Sequence, residues 1–346
     1  MSSVADYALP VEIPGIRYFH DPSPFNLELG YTFADGITIA YHTYGHLNDA
    51  RNNVIWVCHA LTANSRVDDW WGGLFGEGKT LDPTKYFIVC ANVLGSCYGS
   101  IGARSINPAS GQPYGMNWPL VTVRDWVKAH DRLRLHLGIE EIQFCIGGSC
   151  GGHQVLEFAY LIPDKIKHLG LLVTSARESA WAIAGHEAQR QAMLADQTLF
   201  ENKNESGAAG MRAARGIALL GYRTIEAYIE TQTDLDDVIQ DHRASSYIRH
   251  QGEKLVNRFY AHCYWHLMRT LDTHHLGRGR GGIEKVLQQL NMKATIIGID
   301  SDRLIPVSQQ LFLAEHMPDA TLHILQSPYG HDGFLIETDQ INNIFV

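Results

Sequence analysis

The chain has 346 residues, 45% of them hydrophobic, enough to bury a substantial core as one large domain or as a core with an insertion. Its 28 Lys and Arg against 37 Asp and Glu give a net charge of -9 with no run of like charge. That balance argues against nucleic acid or an anionic membrane surface as the main partner and leaves a small molecule as the default. In chain order, the opening MSSVADYALPVEIPG lacks a basic flank before an apolar run, and no window approaches the ~18 apolar residues of a membrane span. No signal peptide or transmembrane helix is therefore expected, and the cytoplasm is the expected compartment. Cys58, Cys90, Cys97, Cys145, Cys150 and Cys263 are scattered through apolar runs without a C-x-x-C pair. Free thiols are expected, and neither a disulfide framework nor a metal site.

Short β-branched runs then alternate with helical patterns. NVIWVCHAL (53–61), YFIVCANVL (86–94), IQFCIGGS (142–149), HLGLLVTSA (168–176), ATIIGID (294–300) and TLHIL (321–325) read as strands buried on both faces of a mostly parallel sheet. Between them, TVRDWVKAHDRLRLHLG carries Val123, Trp126, Val127, Leu133 and Leu137 at helical spacing and ends at Gly138. The fold class is α/β. From residue 178 to 290 the strand signal gives way to helical segments, and GRGRGG (277–282) reads as a flexible join. The expected organisation is a core of residues 1–177 and 291–346 with a helical lid inserted at 178–290, over the carboxyl ends of the strands.

Gly147-Gly148-Ser149-Cys150-Gly151 satisfies G-x-S-x-G, with a buried strand before it and the helical pattern HQVLEFAYL after it. In that setting the glycines allow a sharp turn between strand and helix that lifts Ser149 to a helix N-terminus, where a developing oxyanion is favoured. A serine needs a base to become a nucleophile. DSDRLIP (300–306) and SPYGHDGF (327–334) each follow a strand, on the edge where Ser149 emerges. The order Ser, Asp, His is that of triads in α/β-hydrolase folds. Ser149, Asp302 and His331 are thus the candidate triad, with Asp300 at the strand end as the competing acid. The backbone N–H groups of Leu61 and Cys150 are the candidate oxyanion donors, and the Cys150 thiol is expected to be a buried small hydrophobe.

With these residues in place, the chain resembles the homoserine O-acetyltransferase family of α/β-hydrolase-fold acyltransferases over nearly its whole length. The resemblance is carried by YHTYG, CHALTANS, DWWGGLFGEGKTLDPTKYFIVCANVLGSCYGS, SINPASGQPYG, TVRDWV, GGSCGG, EAQRQAM, AARGIALLGYRT, SSYIRHQGEKLVNRF, GIDSDRLIPVSQQ and SPYGHDGFLIE. It implies that Ser149 takes an acetyl group from acetyl-CoA and passes it to the hydroxyl of L-homoserine in methionine biosynthesis. His331 would act as base and Asp302 would orient it. It implies that Arg215 pairs with the substrate carboxylate and Asp332 with its ammonium, that Tyr222 and Thr62 complete the pocket, that acetyl-CoA is a substrate and no cofactor is needed, and that the protein is a homodimer joined through lid helices. RFYAHCYWHLM is a possible contributor to that interface, though internal packing explains it equally well. Trp70, Trp71 and Trp118 are possible lining of the site.

Several positions depart from the family pattern: Cys150, His153, Trp118, the Ala103-Arg104 step and Arg177-Glu178. They put the pockets in question, above all Arg104, whose charge would suit an acidic acyl group. The rival readings are a homoserine or serine O-succinyltransferase with the same triad, a carboxylesterase or thioesterase, and a non-catalytic binding module.

Overall fold

A computed structural model describes residues 9–346, so the start of the N-terminal stretch read above lies outside the described residues. Eight strands form one sheet: β1 Arg17–Asp21, β2 Ile37–Tyr44, β3 Val54–Cys58, β4 Phe87–Ala91, β5 Ile142–Gly148, β6 His168–Leu172, β7 Lys293–Ile299 and β8 Ala320–Leu325. Their spatial order is β1-β2-β4-β3-β5-β6-β7-β8. The pairs β1–β2 and β2–β4 are antiparallel and all the others parallel.

All five residues of β3 are buried, and its alternating side chains feed two cores. Val54, Trp56 and Cys58 pack into one apolar cluster, Ile55 and Val57 into a second on the opposite face. This is the pleat of a strand covered on both sides, which is why the run reads as continuously apolar. The helix expected at 122–138 is α1, Val123–His136. It opens with a capping box in which the Thr122 side chain accepts from the Asp125 amide and Asp125 accepts from the Thr122 amide at 3.0 Å. Just beyond it, Gly138 takes φ 68°, the left-handed conformation that ends many helices.

Helix α2, Cys150–Leu161, leaves β5 directly. After β6 the chain forms α3 Ala180–Leu194, α4 Ala208–Tyr222, α5 Ile225–Gln232, α6 Arg243–Val256 and α7 Ala261–Asp272 before returning to the sheet at β7. Helix α8, Val307–His316, connects β7 to β8, and α9, Thr338–Phe345, closes the described chain.

One expectation needs correction, and for RFYAHCYWHLM the internal-packing reading is the one that holds. GRGRGG is not a loose join, because Arg280 pairs with Glu157 at 2.7 Å and Arg278 with Glu28 at 2.9 Å. Arg124 completes the network, 2.9 Å from Glu28 and 3.3 Å from Glu157. The aromatic surface of RFYAHCYWHLM is largely inward-facing: Tyr260, Cys263, Tyr264, Leu267 and Met268 are buried within the protomer.

Candidate active site

Ser149 sits between β5 and α2 with φ 56° and ψ -126°, a conformation that a non-glycine residue holds only when its surroundings enforce it. The enforcement is visible. The Ser149 amide donates to Leu172 O at 2.9 Å, and its carbonyl accepts from the Thr174 hydroxyl at 2.9 Å. The glycines give the necessary clearance: a Cβ on Gly147 would lie 2.4 Å from the Gly151 carbonyl carbon, and one on Gly151 would lie 2.2 Å from Cys58 O. The elbow is therefore clamped between the ends of β3 and β6.

Asp302 lies in the loop after β7. Its Oδ1 accepts the backbone N–H groups of Leu304 (2.8 Å) and Ile305 (3.0 Å), which aims Oδ2 at His331 Nδ1, 2.7 Å away. His331 Nε2 lies 2.8 Å from Ser149 Oγ. Since a carboxylate only accepts, Nδ1 carries the proton and Nε2 is left free to take the one from the serine. Burial alone would pull the His331 pKa down, but the Asp302 carboxylate outweighs it and the pKa is raised above 6.5. Asp300, the competing acid, instead accepts the Ser327 amide at 3.2 Å.

Leu61 lies in a turn closed by Ala63 N–H donating to Ala60 O at 3.0 Å, and Cys150 is the first residue of α2. The Cys150 thiol is buried, 3.9 Å from His59 O, and burial pushes its pKa well up, so it is a thiol and not a thiolate.

These groups open into a cavity of about 480 Å³ that is also lined by Thr62, Arg215, Tyr222 and Asp332. The Arg215 guanidinium stands 5.6 Å from the Tyr222 ring centroid, and that ring is 6.0 Å from the ring of His331. Asp332 is held by Arg223 at 3.2 Å, while Thr62 is held by Arg258 through both its carbonyl and its hydroxyl. All nine candidate residues except Asp302 line the cavity, and Asp302 stands behind His331.

Other residues come together differently from the expectation. Trp70 lines the cavity, whereas Trp71 is buried beside it with its indole N–H donating to Phe334 O at 3.0 Å. Trp118 is core, packed between Phe33 and Tyr114. Arg104 does not line the cavity: its guanidinium donates to Asn204 at 2.7 Å and lies over Tyr260. Sequence reasoning gave no role to Glu178, His186, Lys254 or Arg258, all of which line it. Burial raises the Glu178 pKa to about 7, and His186 Nδ1 lies 2.7 Å from Asp272, which also binds Arg190 at 2.7 Å. The charged Arg177-Glu178 step was the one signal available in the sequence.

Residues 53–338 match the family described as alpha/beta hydrolase fold. A homoserine O-acetyltransferase of Cyclobacterium marinum is 42% identical, covering 94% of this chain and 93% of its own. That of Chlorobaculum parvum is 45% identical over 97% and 95%. The chain belongs to the homoserine O-acetyltransferase family. Among solved structures, the homoserine O-acetyltransferase of Bacillus anthracis superposes with a TM-score of 0.88 at 20% identity, covering 95% of this chain and 96% of that one. At that identity the superposition speaks for the α/β-hydrolase fold the family shares, with its mostly parallel sheet. Among the described residues no helix is long and apolar enough to cross a membrane.

Proposed function

We propose that the protein acetylates the side-chain hydroxyl of L-homoserine from acetyl-CoA through an acetyl-serine intermediate. The observation that carries the reading is the Ser149–His331–Asp302 chain of 2.8 and 2.7 Å contacts, opening into one cavity with Arg215 and Asp332. In the first half-reaction Ser149 Oγ attacks the thioester carbonyl as its proton passes to His331 Nε2. The oxyanion forms at the Leu61 and Cys150 amides, and the helix N-terminus reinforces them. The C–S bond then breaks, and the CoA sulfur leaves with the proton held on His331.

In the second half-reaction homoserine occupies the cavity, its carboxylate on Arg215 and its ammonium on Asp332. A guanidinium suits a carboxylate because it offers parallel donors. His331 takes the hydroxyl proton, the oxygen attacks the acetyl-serine carbonyl, and collapse restores the Ser149 hydroxyl. Transfer prevails over hydrolysis when the acceptor is held in reach and water is kept out. Helices α3 to α7, within residues 178–290, serve as that cover, and Tyr222 and Thr62 complete the acceptor pocket.

The reading extends to methionine biosynthesis in the cytoplasm and to a homodimer, for which Leu220, Ile225 and Ile229 offer exposed apolar side chains on α4 and α5. The functional test is thiol release with purified protein and acetyl-CoA, with L-homoserine, L-serine or no acceptor. Release that depends on homoserine is expected. Equal release without acceptor would make the protein a hydrolase, and preference for serine would displace the assigned acceptor.

A further inference from the structure

Arg258 follows α6 and reaches back to the Leu61 turn. Its Nη1 donates to Thr62 O at 2.6 Å and to the Tyr98 hydroxyl at 2.9 Å, and its Nη2 donates to Thr62 Oγ1 at 3.2 Å. Tyr98 closes the circuit by donating to the Arg258 carbonyl at 2.8 Å. Among the described residues no other group donates to the Thr62 carbonyl. From the core side the same segment is held at His59, whose carbonyl accepts from Gln154 at 3.0 Å and whose Nε2 accepts from the Val93 amide at 3.1 Å. The turn from Ala60 to Ala63 is therefore braced from two directions, once by the core and once by a guanidinium carried on the helical segment.

We propose that Arg258 is a positioning residue for the oxyanion hole: its fork fixes the turn that points the Leu61 N–H at the reacting carbonyl. The assignment rests on reading the Leu61 and Cys150 amides as the oxyanion donors. Arg258 acts through Thr62 and need not touch the acyl group. Its contribution appears where negative charge develops on the carbonyl oxygen, and a displaced donor loses much of what a removed one loses. Because Arg258 lies between α6 and α7, the helical segment itself contributes to the oxyanion site.

The experiment compares wild type with Arg258→Met, which keeps stem length and loses every donor, and Tyr98→Phe, which removes one oxygen from the circuit. The readouts are kcat and KM for thiol release, the pH profile, the Kd of coenzyme A, and the Kd of methylboronic acid, a probe that forms a tetrahedral anionic adduct on Ser149. Arg258→Met is expected to lower kcat by ~10- to 100-fold and to weaken the boronate by a similar factor. The coenzyme A Kd and the acid limb of the profile should stay in place. Tyr98→Phe is expected to move kcat and boronate affinity together by a smaller factor, and it decides the matter if Arg258→Met does not fold. Unchanged boronate affinity in variants whose Ser149 still acetylates would overturn the role of Arg258 alone. Failure of wild type both to bind the boronate and to acetylate Ser149 would overturn the oxyanion reading with it.

Discussion

Replacing Asp302 with Asn exchanges one buried carboxylate oxygen for an amide nitrogen of similar size, and the surrounding bonds dictate how it sits. Oδ1 of Asp302 accepts two backbone amides, from Leu304 and Ile305, while Oδ2 accepts from His331 Nδ1 at 2.7 Å. Turning the new NH2 toward the two amides would leave buried donors facing donors, at about 1–3 kcal/mol each. The variant should therefore keep its oxygen on the amides and present NH2 to Nδ1. His331 must then carry its proton on Nε2, facing Ser149, where it can no longer accept one. A wrong tautomer of this kind costs about 10⁴-fold in kcat, or roughly 5.5 kcal/mol of transition-state stabilisation. The assay is thiol release from acetyl-CoA with homoserine, with circular dichroism to verify folding. Asp300→Asn, altering a carboxylate that only braces the Ser327 amide, should stay within about threefold of wild type, an effect below ~1 kcal/mol. An Asp302→Asn variant retaining more than about a tenth of wild-type kcat, a loss of under ~1.4 kcal/mol, would refute the tautomer argument.

Glu178→Gln should act on both stability and pH dependence. The folded pKa of Glu178 is raised from 4.5 to about 7 by burial, so its favourable contribution is full below pH 4.5 and disappears as pH rises through about 7. Thermal unfolding of the variant should gain on wild type over that interval, and a pH-independent difference would contradict the burial of this group. The same substitution removes one of the negative charges that raise the His331 pKa, so the acid limb of the kcat/KM profile should move to lower pH. Gly151→Ala would place a Cβ 2.2 Å from Cys58 O, and the resulting backbone shift should cost about 1–3 kcal/mol in denaturant unfolding together with most of the acylation rate. Arg215→Ala should lower kcat/KM for homoserine by ~10- to 100-fold, the worth of a charge-assisted bond, and leave acetylation of Ser149 within threefold. Equal loss in both half-reactions, read by stopped-flow, would remove its assignment to the acceptor.

The inner parallel strands were legible because they are buried on both faces and read as nearly unbroken apolar runs, as in VIWVC or KATIIGI; β8 departs from that expectation, since as the edge strand of the sheet it is buried only at Leu325. Their ends were read too long: NVIWVCHAL continues to Leu61, but the strand stops at Cys58, where the chain bends toward the site. The antiparallel edge was not recognised. β1, RYFHD, is largely exposed, and β2 buries His42, bonded to Ser65 at 2.8 Å, so neither carries a clean apolar alternation. The elbow and the order of Asp302 and His331 are local signals, tied to glycines and strand ends, and they survive without knowledge of packing. The cavity wall is different. Whether Arg104, Glu178, His186 or Arg258 faces the cavity depends on how α3 to α7 pack over the sheet, and no spacing in the sequence encodes that. Arg104 illustrates the point, since its charge is spent on Asn204 and the Tyr260 ring and not on an acyl group.

The central claim is that Ser149 carries the acyl group between donor and acceptor. Its most direct test is intact-protein mass spectrometry after rapid mixing with acetyl-CoA alone, followed by peptide mapping and a chase with L-homoserine. A single acetyl adduct mapped to Ser149, absent from Ser149→Ala and discharged by homoserine at the rate of turnover, is the predicted result. Turnover without any adduct, or an adduct that homoserine does not discharge, would contradict the account.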